Sequence, residues 1–127
     1  MLKYRRWIPA IVMMAIIFVA SSTPSSELPN YGFWDMLVKK GGHMMGYGLL
    51  SIAWWYGFSF DSKKGWLAWL LAFIYAISDE FHQSFTPGRN PSAVDVLFFD
   101  GGGALVGLST LVIWFRMRAK KKKNQEV

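Results

Sequence analysis

Four apolar blocks, Trp7 to Ala20, His43 to Phe60, Trp66 to Ile77 and Ala93 to Phe115, occupy much of this 127-residue chain and limit what it can fold into. With 53% hydrophobic residues, seven Trp and ten Phe, the chain holds more apolar mass than one soluble core of this size requires. A membrane helix needs about 20 apolar residues at roughly 1.5 Å rise each. The second and fourth blocks meet that length outright, and the first and third reach it by borrowing flanking residues. The reading is an all-α, polytopic membrane protein of one domain. Its four transmembrane helices are expected at about 7–23, 42–60, 66–85 and 92–116, with a basic tail over 117–127.

Charge sets the expected orientation. Lys3, Arg5, Arg6, Lys63, Lys64, Arg116, Arg118 and Lys120 to Lys123 fall on one side of that topology, against Lys39, Lys40 and Arg89 on the other. The positive-inside rule places both termini and the Asp61–Gly65 turn in the cytoplasm. The basic tail beside a membrane helix reads as a topology anchor and anionic-lipid contact, not as a nucleic-acid patch. Lys3, Arg5 and Arg6 before a short apolar run, with Val19-Ala20-Ser21 as a small-residue site, also match the layout of a secretory signal; retention as a membrane helix is the reading taken. The chain has no cysteine, which excludes disulfides and thiol chemistry.

Between the third and fourth blocks lies a dense polar segment, Asp79 to Ser92, and Asp95 and Asp100 follow inside the fourth. Ionisable groups at membrane depth are costly and mark functional sites by default. Thirteen residues separate Trp66 from Asp79, about 20 Å of helix in a hydrocarbon layer about 30 Å thick. Helix three therefore reaches Asp79, Glu80, His82 and Gln83 before it has fully left the membrane. His43 and Tyr47 on helix two, and Asp95 and Asp100 on helix four, come to the same level. Helical phase groups His43, Tyr47 and Ser51 on one face, and Tyr75, Asp79 and Gln83 on another. Gly42 with Gly46, and Gly103 with Gly107, are small-xxx-small pairs that allow close helix approach. Pro87-Gly88 predicts a type II turn displaying Arg89, and Phe33 to Val38 suggests a short helix lying on the outer surface.

At these residues the chain resembles the VanZ-like family of small bacterial membrane proteins. The likeness is carried by Ser21-Ser22-Thr23-Pro24, by His43 and Tyr47, and by Asp79-Glu80, Gln83, Phe85, Pro87-Gly88-Arg89, Ser92 and Asp95-Val96. The resemblance implies a four-helix membrane protein, and the family's founding member is associated with low-level resistance to teicoplanin. It departs at one place. The family pattern implies Asp or Asn four positions after Asp95; here Phe99 stands there and Asp100 comes five after, about 140° round a regular helix.

The expected site comprises His43, Tyr47, Asp79, Glu80, Gln83, Arg89, Ser92 and Asp95, on the extracytoplasmic side of the bacterial cytoplasmic membrane. Arg89 suits a bidentate grip on phosphate or carboxylate, or an ion pair with Asp79, Glu80 or Asp95. Ser92 and Asp95 also form a capping-box pattern that accounts for both structurally. The primary expectation is binding of membrane lipids or a lipid-linked cell-wall precursor, with an effect on glycopeptide susceptibility. The alternative is a membrane hydrolase or transferase acting on phosphate- or sugar-bearing lipid headgroups, with His43 or Asp79 as general base. No His-Glu-x-x-His or comparable ladder is present, so no metal is expected, nor any cofactor. A transporter is disfavoured because the polar cluster stops in the outer third.

Overall fold

The computed structural model describes residues 2–125 and is all-helical, with no strand among the described residues. A short turn, α1 (Leu2–Arg5), precedes α2 (Ile8–Ser22), α3 (Asp35–Gly57), α4 (Gly65–Gln83) and α5 (Gly101–Gln125), and a π-helical segment, Asp95–Asp100, leads directly into α5. The long helices alternate in direction, and α3 packs against the other three. Each boundary has a local cause. Pro9 sits in the first turn of α2, where its missing N–H costs nothing. After α3, Ser59 and Phe60 adopt left-handed conformations (φ 61° and 56°) and turn the chain. Asp61 then accepts a hydrogen bond from Lys63 N at 2.9 Å and caps the 3₁₀ turn Ser62–Lys64 that leads into α4.

The segment expected as a separate surface helix is instead continuous with α3. A 3₁₀ turn at Gly32–Trp34 runs straight into Asp35, so Met36 to Val38 form the first turns of the long helix. Asp35 and Lys39 pair at 2.8 Å, four residues apart, and this contact supports the added turns. The same hydrogen bond holds the Asp35 carboxyl below its usual range.

By length and apolarity, one described helix, Asp95–Gln125, is long and apolar enough to cross a membrane; Ile8–Ser22 is apolar but shorter. The outward faces of the bundle nevertheless expose large apolar side chains: Ile11, Ile16 and Val19 on α2, Leu49 on α3, Ile74 and Ile77 on α4, and Leu105, Val106 and Ile113 on α5. So much exposed apolar surface needs a partner phase.

Inside the bundle, small residues set the helix spacing. Ala68, Ala72 and Ala76 form a fully buried stripe on α4, and Asp79 and Gln83 continue that face. Where α3 crosses α5, a Cβ on Gly107 would lie 2.7 Å from the Gly48 Cα, and one on Gly103 would strike the Met44 backbone. Ser51 Oγ spans the crossing to the Ala104 carbonyl at 2.9 Å. Of the two glycine pairs read in the sequence, Gly103 and Gly107 therefore allow close approach, with Gly48 as their counterpart. Gly42 and Gly46 do not: nothing lies within 4 Å of a Cβ on Gly42, and only Ile17 Cγ1 (3.8 Å) comes within that range of one on Gly46.

At the end carrying the Ser62–Lys64 turn, Trp7 packs on Trp54 and edge-on to Phe58, and Phe60 packs against Trp55 and Phe115. α4 joins this end through Ala68 and Trp69, which cluster with Trp55, Phe60 and Leu108.

Gly107→Leu is expected to lower unfolding stability by about 1–3 kcal/mol, the usual cost of overpacking, because rigid backbone opposes the new side chain. Gly102→Ala meets nothing within 4 Å and should be neutral or gain up to about 1 kcal/mol of helix propensity. Thermal unfolding of both variants in one detergent checks the contrast.

Candidate functional site

At the opposite end of the bundle, one buried carboxylate gathers donors from the surrounding helices. Asp79 is 3% exposed. Its Oδ2 accepts hydrogen bonds from Ser21 Oγ at 2.7 Å, Tyr47 OH at 2.9 Å and Gln83 Nε2 at 3.1 Å. Gln83 also donates to Ser21 Oγ at 3.3 Å, closing the network. Tyr47 is 1% exposed, and nearby Tyr75 donates to the Met14 carbonyl, which fastens α4 to α2. Asp79 Oδ1 has no hydrogen-bond partner among the described residues.

Polar residues of the loop after α4 are likewise committed to the helix ends. Arg89 N bonds the Thr86 carbonyl across Pro87-Gly88, with Gly88 at φ 74°; this is the type II geometry that the sequence predicts. The turn docks on the segment after α2: Ser25 N donates to the Pro87 carbonyl, and Ser25 Oγ occupies the space a Gly88 Cβ would need. Arg89 donates through Nη2 to the Ala20 carbonyl (3.0 Å) and through Nε to the Thr23 carbonyl (3.3 Å). A cation there meets the negative end of the α2 dipole. None of the ion pairs among the described residues involves Arg89, so the carboxylate partner considered from sequence is replaced by main-chain oxygens.

The capping box is only half made. Ser92 Oγ accepts from Asp95 N at 3.4 Å, but the Ser92 N–H goes to Glu80 Oε1 of α4 rather than back to Asp95. Asp95 is thereby released to pair with Lys40 Nζ at 2.7 Å, and Lys40 also lies 4.5 Å from the Phe99 ring centre.

Asp100 follows a different rule from the one a regular helix would impose. Residues Asp95–Asp100 are wound as a π-helix, and Gly101 N bonds the Val96 carbonyl five residues back. Such a turn holds one residue more than an α-turn. The extra residue between the two acids is absorbed, and Asp100 points inward, 3% exposed. Its Oδ1 lies 3.6 Å from His43 Nδ1, within ion-pair range but beyond a hydrogen bond, and is otherwise unpartnered. The 140° displacement expected for an α-helix is therefore not what the chain adopts. Trp69 Nε1 donates to the Gly101 carbonyl at 3.0 Å where the winding changes.

Around these groups lies a cavity of about 270 Å³ lined by Lys39, Lys40, His43, Glu80, Gln83, Arg89, Asp95 and Asp100, among others. Of the expected site residues, His43, Glu80, Gln83, Arg89 and Asp95 line it. Tyr47 and Asp79 lie behind the wall, and Ser92 acts on the helix start. His82 is apart from the cavity: its ring stacks on Phe18 and its Nε2 lies 2.9 Å from Ser22 Oγ. Among the described residues no three His, Cys, Asp or Glu side chains converge as a metal-ligand set.

Residues 6–116 match the family model described as VanZ/LLP1. The chain belongs to the VanZ/LLP1 family. No curated protein and no solved structure matches it. The motif residues through which the chain resembles the family meet in space: the Ser-Ser-Thr-Pro segment packs on the Pro-Gly-Arg turn, and Asp79 joins Ser21 to Tyr47.

Sequence reasoning left Ser21, Thr86, Lys39 and Lys40 out of the site. Thr86 Oγ1 donates to the Ser21 carbonyl at 3.3 Å. Ser21 was legible in principle, as a hydroxyl ending an apolar helix at the depth of Asp79. Lys39 and Lys40 stand four and three residues before His43 and share its side of α3. That relation disappears if the helix is begun at residue 42.

Tyr47→Phe should cost about 1.5–3 kcal/mol of unfolding stability, as expected for losing a hydrogen bond to a carboxylate, with the ring packing retained; denaturant unfolding in micelles measures it. Deleting Phe99 restores four-residue spacing and lets the segment wind as an α-helix. That variant should fold with the His43 pairing kept and lose only the Lys40–Phe99 contact, about 0.5–2 kcal/mol for a half-buried cation over a ring. A larger drop in melting stability would show that the π-turn itself is required.

Proposed function

We propose that this VanZ/LLP1-family protein spans the bacterial cytoplasmic membrane four times, with both termini inside. The polar cavity then opens on the extracytoplasmic side and binds an anionic lipid or lipid-linked cell-envelope precursor. The observation carrying this reading is the convergence of Lys39, Lys40, His43 and Arg89, interleaved with Glu80, Asp95 and Asp100, on one cavity at one end of an apolar-surfaced bundle. Cations at the mouth of a partly desolvated cavity attract a phosphate headgroup and hold it by charge-assisted hydrogen bonds. Lys40 is paired with Asp95 at the rim and exchanges that carboxylate for the ligand's oxygens. Changed handling of an envelope precursor at this site is the route by which the protein would alter teicoplanin susceptibility.

Phosphatidylglycerol in phosphatidylcholine nanodiscs should raise the melting temperature of the wild type. The double change Lys39→Gln and Lys40→Gln should weaken that response about ten-fold in lipid concentration, or about 1.4 kcal/mol. An equal response in both proteins would move the site elsewhere. The topology has its own check. The chain has no cysteine, so a single Asn90→Cys should react with a membrane-impermeant maleimide added outside intact cells. Lack of labelling there, with labelling in inverted vesicles, would reverse the orientation.

A second reading, hydrolysis or transfer at a lipid-linked phosphate or sugar headgroup, is supported by the His43–Asp100 contact and the unpartnered oxygens of Asp79 and Asp100. In that scheme His43 is the general base, held by Asp100, and the basic rim stabilises developing negative charge. Purified protein with radiolabelled bacterial lipids should then release a product, His43→Gln should abolish release, and Asp100→Asn should reduce it strongly. Binding without turnover would favour the first reading.

A further inference from the structure

Next to the polar cavity, a second space of about 350 Å³ runs between α2 and α3, lined by Met13, Ile16 and Ile17 on one side and Gly42 and Gly46 on the other. Lys39, His43 and Arg89 border both spaces, so the apolar groove begins where the polar chamber ends. The two glycines explain why it is open. Glycine inside a helix costs roughly 0.5–1 kcal/mol relative to alanine, and at Gly48, Gly103 and Gly107 that cost is offset by close helix contact. Gly42 and Gly46 obtain no such contact, since a Cβ at the first meets nothing within 4 Å and at the second only Ile17 at 3.8 Å. What they supply is empty apolar space beside a charged chamber.

We propose that this groove holds the hydrocarbon chain of the lipid whose anionic headgroup enters the polar chamber. The inference rests on the headgroup reading above and adds where the chain lies. Phosphate oxygens then face Lys39, Lys40 and Arg89, and the chain passes His43 into the groove, where its methylenes replace contact with the bulk bilayer by packing on Ile16 and Ile17.

The test uses full-length protein in phosphatidylcholine nanodiscs doped with phosphatidylglycerol bearing a mid-chain diazirine, with the same diazirine on phosphatidylcholine as control. After photolysis, peptide mapping should place phosphatidylglycerol adducts on α2 and α3 around Ile16, Ile17 and Gly46. Gly46→Leu should reduce them about ten-fold, the equivalent of excluding about two methylenes, and Gly42→Leu should act in the same direction. Equal labelling by both lipids, or adducts spread over the lipid-facing residues Ile74 and Ile77 of α4, would overturn the proposal. Melting temperature separates the two levels. If phosphatidylglycerol stabilises wild type and Gly46→Leu equally, the groove assignment fails and the headgroup site stands. If it stabilises neither, the headgroup reading fails and the groove assignment falls with it.

Discussion

A carboxylate removed from water needs its donors delivered to it, and Asp79 receives them from α2, α3 and its own helix. Burying the charge alone would cost several kcal/mol. Three donors on one oxygen offset much of that, and in a dry interior they act with more strength than they would in water. The geometry demands that Ser21 end α2, that Tyr47 sit about three turns into α3, and that Gln83 follow Asp79 by one turn. The relative heights of these three helices are therefore tied to one side chain. A shift of any helix by one residue would leave the carboxylate under-satisfied, which gives the buried network a role in register as well as in stability.

The remaining polar groups at this end extend the same arrangement outward. Arg89 closes the C-terminal carbonyls of α2, Glu80 holds the start of the last helix through Ser92, and Lys40 joins α3 to Asp95. Each is a charged group neutralising a helix end or an opposite charge from another element, and together they frame a cavity without filling it. The opposite end is closed by aromatic packing instead. One end of the bundle is thus held by aromatic packing and the other by polar contacts around a cavity.

The π-turn at Asp95–Asp100 shows how a family pattern survives a change in spacing. One additional residue in an α-helix would swing Asp100 away from the interior. Widening a single turn absorbs the insertion, returns the acid to His43, and leaves α5 in register with Gly48 through Gly103 and Gly107. The cost of the irregular turn is local, whereas rotating the whole of α5 would sacrifice the tightest helix crossing in the molecule.

Helical class, the order of the elements, the type II turn at Pro87-Gly88 and the gathering of His43, Asp79, Gln83 and Arg89 at one end were all legible in the residues. They follow from apolar block lengths, from glycine's tolerance of positive φ, and from counting residues along helices of fixed rise. Those are local properties, and a chain carries them wherever it packs. Three things were decided only by the tertiary structure: that Ser92's N–H belongs to Glu80 and not Asp95, that Arg89 faces main-chain carbonyls and not a carboxylate, and that Gly42 and Gly46 border open space while Gly103 and Gly107 border backbone. Each depends on which neighbour arrives first at a shared donor or gap. Spacing along one helix carries no information about that competition, because the deciding atoms come from segments far away in the chain.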